Sequence, residues 1–530
     1  MLSMRHEAGR ENPLCQVVNR REAGRIIADS LSWLILVLIL GNAGQCLGGE
    51  LQVASVFTDH AVLQQGVTLP VWGSAEAGTK VTVRFAGQTK TTVADSHGAW
   101  KLALNPLESH TTGSRMTVLA GEEERVFRDL LVGEVWYSSG QSNMQMTLDA
   151  CGKRIAFIRE VIANPESSGV RMLRVEGPDA ENPLADRSVA TQWQIDTPHT
   201  RRRQSATAFF FARKLNEHLG VPIGIIDGSW GGQPIEGFIP REEFEKNEVL
   251  KPILDLADQN ELEQLKRLEG GVIVRKTAGL PGRIFNARVA PIAPYPVRGF
   301  LWYQGESNAG TGEDPRNYRH KMRALIEGWR RVWGQSELPF YFVQLPAFRD
   351  SAHGWVRLRE EQRLSLDVPH TGMAVTIDLR DNDIHPANKV DVGDRLARWA
   401  LAKCYKQTQP FSGPLFKSAT IEGKTVRVAF SYVGGGLMVA RKEGLDPPIE
   451  SESRVLSHFE LANNSGRWFA AEATIVGDAV LVHSESVLKP VAVRYACQGA
   501  PPNANLYSRS GLPASPFCSK LELLPWQSSQ

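Results

Sequence analysis

The chain has 530 residues, with 60 Lys and Arg against 58 Asp and Glu, a formal net charge of +2. That balance excludes a chain dominated by a basic face for nucleic acid or by a long charged tail, and 42% hydrophobic with 22% charged residues is the composition of a globular protein with real cores. Six cysteines at Cys15, Cys46, Cys151, Cys404, Cys497 and Cys518 are too few and too scattered for a disulfide scaffold, and none forms a C-x-x-C pair.

Taken in chain order, the first element is the apolar run Leu31 to Leu40, preceded by Arg20, Arg21 and Arg25 and followed by Gly41, Ala43 and Gly44. A membrane span needs about 20 apolar residues, so the run is too short to cross a bilayer and reads instead as an export signal. Residues 1–46 are therefore set apart from the fold, and the protein is expected in the periplasm or outside the cell. Lipid anchoring at Cys46 is disfavoured, because Gln45 is too large for the position before a lipidated cysteine.

From 49 to 129 short β-type runs follow one another. Val67-Thr-Leu-Pro-Val-Trp72, Lys80-Val-Thr-Val-Arg-Phe85 and Arg115-Met-Thr-Val-Leu119 are separated by Gly73, Gly78, Gly87 and Gly98, which predicts a small β-domain. Between 130 and 410 the pattern changes to helices alternating with apolar strands. A helix from Ala206 to Leu219 precedes a strand at Ile223 to Ile226, one from Tyr318 to Trp333 precedes Pro339 to Gln344, and one from Arg357 to Leu366 precedes Met373 to Asp378. Such alternation predicts crossover units and a largely parallel sheet, with ligands bound at the carboxyl ends of the strands. From 411 to 526 β signals return at Lys424 to Phe430, Ala479 to His483 and Ala492 to Tyr495, and a Pro-, Asn- and Ser-rich stretch from Gln498 to Phe517 reads as an extended tail over a neighbouring region.

Four segments at predicted strand ends carry chemistry. Gly140-Gln-Ser-Asn143 presents Ser142 on a tight turn, a position that also suits a helix N-cap. Asp227-Gly-Ser-Trp-Gly-Gly-Gln233 can leave main-chain N–H groups free to face a substrate oxygen. Trp302-Tyr-Gln-Gly-Glu-Ser-Asn308 runs a strand into Gln304, Glu306 and Asn308, whose side chains can complete an oxyanion pocket or satisfy buried loop backbone. Asp381-Asn-Asp-Ile-His-Pro-Ala-Asn388 places His385 beside two carboxylates, as a base that takes a serine proton requires. The same loop lacks the dodecamer and terminal Glu of a calcium site, and no metal or other cofactor is expected. Trp136, Trp230, Trp302 and Tyr303 lie beside these segments, where aromatics more often form walls and cores than sugar platforms.

These blocks resemble the SGNH-type serine esterases and, within them, the sialate O-acetylesterases. Phe57 to Gln65 and Leu69 to Gly73 resemble the family's N-terminal β-domain; Gly133 to Met144, Gly231-Gly232, Trp302 to Asn308 and Ile384 to Lys389 resemble its sequence blocks; Asn505 to Tyr507 and Gly511 to Phe517 resemble its ending. The resemblance implies an α/β protein: a flavodoxin-like SGNH-hydrolase domain of three α/β/α layers around a parallel sheet, flanked by N-terminal and C-terminal β-sandwich-like domains. It implies Ser142 as nucleophile, His385 as base, and an oxyanion hole from the Ser142 N–H, Gly231 or Gly232, and an amide of Gln304 or Asn308. Many SGNH enzymes carry the aspartate three residues before the histidine, where this chain has Asn382; its Asp-Ile-His resembles that of close relatives, which implies Asp383 as the residue that orients His385, with Asp381 in reserve. Glu306 and Arg359 are possible supports, Arg359 as a buried ion-pair partner.

The function implied is a secreted carbohydrate O-acetylesterase acting on sialic acid or a related sugar through an acyl-enzyme. An esterase for acetylated xylan or another polysaccharide is the alternative, and a non-catalytic carbohydrate-binding protein the rival of a different class. The expected partner is an O-acetylated sugar or glycan, with neither nucleic acid nor a stable membrane span, and nothing in the sequence sets an oligomeric state. In an exported chain Cys497 and Cys518 are a candidate disulfide.

Overall fold

The computed structural model describes residues 49–189, 191–259, 277–309, 315–348, 353–381 and 383–526. The segment read as an export signal and Asn382 lie outside the described residues. From Gly48 onward the chain is one compact unit, and no helix among the described residues is long and apolar enough to cross a membrane.

At the centre stands a mixed sheet. Its spatial order is Gln194–Ile195, Val170–Arg174, Ile223–Asp227, Glu123–Gly140, Gly299–Tyr303, Phe340–Val343 and Thr371–Ala374. All neighbouring pairs are parallel except the Gln194–Ile195 edge. In chain order the seven strands run 3-2-4-1-5-6-7 across the sheet. Ile223–Asp227, Gly299–Tyr303 and Phe340–Val343 are buried along their whole length, which explains why they read as unbroken apolar runs rather than as alternating strands.

The helices follow their sequence signals closely. Ser205 caps the Ala206–Leu219 helix by accepting from the Ala208 N–H, and Gly220 ends it at φ 66°. The Tyr318–Val332 helix starts where predicted, and a Lys389–Lys403 helix follows the His385 loop. Phe210 and Phe211 pack under Gly393 so tightly that a Cβ there would lie 2.6 Å from the Phe210 Cβ, which seats the Lys389–Lys403 helix against its Ala206–Leu219 neighbour. The predicted strand from Met373 to Asp378 is shorter than expected: ladder pairing stops at Ala374, and the chain leaves the sheet edge toward the His385 loop.

One strand organises the N-terminal half. Glu123–Gly140 pairs antiparallel with His110–Ala120 along its first half, then enters the central sheet between Ile223–Asp227 and Gly299–Tyr303. The expected boundary at 129/130 therefore falls inside a continuous strand, where its neighbours change. Toward the C-terminus, antiparallel pairs build a pair of four-stranded sheets and one three-stranded sheet. The tail beyond Gln498 packs on the α/β region: Ser515 Oγ accepts from Gln344 Nε2 at 2.9 Å, and Tyr507 donates to Asp378 at 3.2 Å. Cys497 and Cys518 are free thiols here, which corrects the expected disulfide. Each thiol donates to a nearby carbonyl instead, Phe517 and Lys520 respectively, both at 3.2 Å.

Candidate active site

The strand ends bring the sequence blocks together. Gly140 has φ 136°, and a Cβ on it would lie 2.1 Å from the Tyr303 carbonyl oxygen, so only glycine fits between the two strands. The Gln141 N–H donates to Tyr303 O at 3.0 Å, and the Trp230 N–H to Gly140 O at 2.9 Å, tying three loops into one rim. Ser142 is the first residue of a short helix rather than its cap, which is Gln141. A first-turn N–H has no acceptor within its own helix, and the Ser142 N–H makes no backbone bond among the described residues. Gly140→Ala is expected to destabilise the protein by about 2 kcal/mol or more, through clash and positive-φ strain. A urea unfolding midpoint equal to wild type would contradict this.

His385 reaches Ser142. Its Nε2 lies 2.8 Å from Ser142 Oγ, a distance at which a neutral imidazole can accept the hydroxyl proton. On the other side of the ring, Nδ1 is 3.5 Å from Asp383 Oδ1, a long contact, while the His385 backbone N–H donates to the same oxygen at 3.1 Å. Asp381 is turned elsewhere: it pairs with Arg154 and accepts the Ala387 N–H at 3.2 Å. Arg154 also donates to the His385 carbonyl at 2.9 Å and to Asp383 at 3.3 Å, so one guanidinium holds the loop in place. Between the two carboxylates, Asp383 has the geometry to orient the ring.

Burial holds the His385 pKa below the ordinary 6.5; the Asp383 charge opposes this, while Lys389 and Arg154 reinforce it. The ring thus stays neutral to lower pH than a free imidazole. The half-maximal point of the acid limb of kcat/KM should lie below pH 6.5, as His385 gains its proton. A half-maximal point above that value would refute the assignment of the limb to His385.

The oxyanion candidates separate into two groups. Gly231 lies against the serine, with the position of a Cβ 3.6 Å from Ser142 Cβ, and its N–H is accepted by Gln145 Oε1 at 3.0 Å. Gly232 is exposed, at φ 70°, a conformation suited to glycine. Gln304 and Asn308 are buried and mutually bonded, Gln304 Nε2 to Asn308 Oδ1 at 2.8 Å. Gln304 also donates to Gln141 Oε1 at 3.1 Å, and Asn308 to the Glu236 carboxylate at 3.1 Å. Both amide nitrogens are thus engaged with protein acceptors, and they knit the Ser142 turn to the loops around it.

Glu306 is buried and accepts from Asn143 Nδ2; burial raises its carboxyl pKa. The ion pair expected of Arg359 is not formed: among the described residues this buried guanidinium bonds the Gln498 carbonyl, at the tail rather than at a carboxylate. Trp136, Trp302 and Tyr303 are core residues with no exposure, whereas Trp230 is partly exposed and backed by the Arg288 guanidinium, 4.0 Å from its ring. Sequence reasoning assigned no role to Asn143, Gln145, Arg154 or Lys389. Asn143 and Lys389 sat in plain view inside the recognised blocks, but Arg154 gave no signal, because only the folded chain brings it to the His385 loop. No group of three or more His, Cys, Asp or Glu side chains is gathered as metal ligands among the described residues.

The profile of a family described as "Carbohydrate esterase, sialic acid-specific acetylesterase" matches residues 283–402. The human sialate O-acetylesterase is 32% identical over 72% of this chain and 76% of its own length. The chain belongs to the sialate O-acetylesterase family. Across the full length, the rat (Rattus norvegicus) sialate O-acetylesterase is 28% identical over 92% of this chain and 98% of its own. Among solved structures, a carbohydrate acetylesterase from Xanthomonas citri superposes with a TM-score of 0.77 at 33% identity, covering 88% of this chain and 99% of that one. Membership makes this protein an esterase of the carbohydrate acetylesterase kind, with a mixed α/β fold.

Proposed function

We propose that this protein is an exported sialate O-acetylesterase that cleaves acetyl esters from sugars through a Ser142-His385-Asp383 acyl-enzyme mechanism on an SGNH-type α/β/α core flanked by β-domains. The observation that carries the reading is the 2.8 Å contact between His385 Nε2 and Ser142 Oγ at the strand ends of a family member. Ser142 Oγ attacks the acetyl carbonyl as His385 takes its proton; His385 then protonates the departing sugar alkoxide. Water, deprotonated by His385, attacks the acetyl-enzyme, releasing acetate and restoring Ser142. The N–H groups of Ser142 and Gly232 receive the oxyanion, joined by Gly231 once Gln145 Oε1 gives up its N–H. Gln304 and Asn308 brace that pocket in the bonded state described, and their amides complete it if they exchange acceptors.

Export is supported by the Leu31 to Leu40 run behind Arg20, Arg21 and Arg25, and N-terminal sequencing of the mature protein tests it. Acetate release should be measured across O-acetylated sialic acids and acetylated xylan. Turnover of the sialic acids by at least about tenfold in kcat/KM over xylan supports the sialate assignment, and the reverse order assigns the protein to polysaccharides. The Xanthomonas citri relative is described by the broader term carbohydrate acetylesterase, which names no particular sugar. Absence of hydrolysis on every acetyl ester, with retained sugar binding, would leave the non-catalytic reading.

A further inference from the structure

Behind Ser142 and His385 lies a buried polar node that neither proton transfer nor oxyanion binding requires. Asn143 is fully buried, and its side chain bonds Glu306, Ile384 and Lys389. Its Nδ2 donates to the carbonyl of Ile384, the residue before His385, at 3.0 Å, and also to Glu306; its Oδ1 accepts from Lys389 Nζ. Lys389 has no exposed surface, and it opens the Lys389–Lys403 helix. Two physical terms oppose an ammonium there. Removal from water penalises the charge, and the positive end of a helix dipole repels it. A lysine in such a place needs compensating contacts, and the Asn143 carbonyl oxygen, the Glu306 carboxyl group and the Tyr303 ring, 5.1 Å from Nζ, supply them.

We propose that Lys389 is a positioning residue, its buried ammonium fastening the Ser142 turn to the His385 loop through the Asn143 amide. The proposal rests on the Ser142-His385 reading of the site. Through Asn143 one cation sets the spacing between the loop that carries the hydroxyl and the loop that carries the imidazole, and Glu306 anchors both to the end of the Gly299–Tyr303 strand. The charged and titratable groups around Lys389 are Glu306, Cys151, Asp381 and Arg154, and those around His385 are Asp383, Lys389 and Arg154. Burial pulls the Lys389 pKa down to about 8. While protonated, Lys389 lowers the His385 pKa; removing its charge therefore lets that pKa rise and moves the acid limb of kcat/KM to higher pH.

The test uses the full chain, a chromogenic acetyl ester, and the variants Lys389→Met and Lys389→Arg, with folding checked by circular dichroism. Lys389→Met should lose about 100-fold in kcat with KM little changed, the effect of a misplaced nucleophile and base, and should show the upward shift of the acid limb. Lys389→Arg should restore the limb and a fraction of the rate. Wild-type kcat in Lys389→Met overturns the proposal, as does a rate loss with no movement of the limb and no recovery by arginine, which marks a purely structural contact. Should Lys389→Met fail to fold, the wild-type enzyme decides: kcat should decline as pH rises through about 8, where Lys389 loses its proton, and a plateau that continues to about pH 10 overturns the proposal. Ser142→Ala, assayed in parallel, reports separately on the Ser142-His385 reading, since activity surviving in that variant refutes the site itself whatever Lys389 does.

Discussion

Ser142→Ala should lower acetate release by about 10⁴-fold or more while leaving the fold intact. The side chain is only partly buried, and its hydroxyl is bonded to His385, so its loss creates no cavity and orphans no buried partner. The residual rate would come from the N–H groups around the oxyanion position, which the substitution does not touch. Acetate release by purified Ser142→Ala, beside its far-ultraviolet spectrum and thermal midpoint, checks both halves of the expectation. A variant that keeps activity within about tenfold of wild type would remove Ser142 from the mechanism.

The second large effect separates two aspartates. Asp383→Asn should cost about 100-fold or more in kcat/KM, because the amide no longer stabilises the imidazolium and can select the wrong tautomer. Since the Asp383 charge raises the His385 pKa, its loss should also move the acid limb to lower pH, opposite in sign to Lys389→Met. Asp381→Asn should stay within about tenfold of wild type, for its carboxylate serves Arg154 and a backbone N–H rather than the ring. The reverse ranking of the two variants would transfer the orienting role to Asp381. The 3.5 Å spacing at Nδ1 is consistent with a contact that tightens when substrate charges the imidazole, as catalytic hydrogen bonds of unliganded enzymes often do.

Much of the framework is legible from local patterns. Apolar runs bounded by Gly and Pro mark the buried strands, and Ser205 and Gly220 mark the ends of a helix that the structure reproduces. Ser142 and His385 stand out because strand-end blocks carry them, and the fold brings the two side chains into contact. The boundary at 129/130 was less legible. Glu123–Gly140 carries one continuous β signal although its partners change along it, and pairing is a non-local property. The candidate disulfide between Cys497 and Cys518 is not formed in the structure, for proximity in the C-terminal sequence does not set the sulfur geometry that a disulfide needs.

Taken alone, the helix-strand alternation determined an α/β chain and the strand-end blocks singled out Ser142 and His385, while the esterase was implied by the resemblance of those blocks to the sialate O-acetylesterases. The tertiary structure decided the rest, because the deciding contacts join residues that local patterns do not connect: Asp383 rather than Asp381 beside the imidazole, Gln145 on the Gly231 N–H, Arg154 bracing the His385 loop, and Lys389 held on Asn143. Periodicity and turn chemistry are written in neighbouring residues, whereas the direction of a buried charge depends on which loops the fold brings around it.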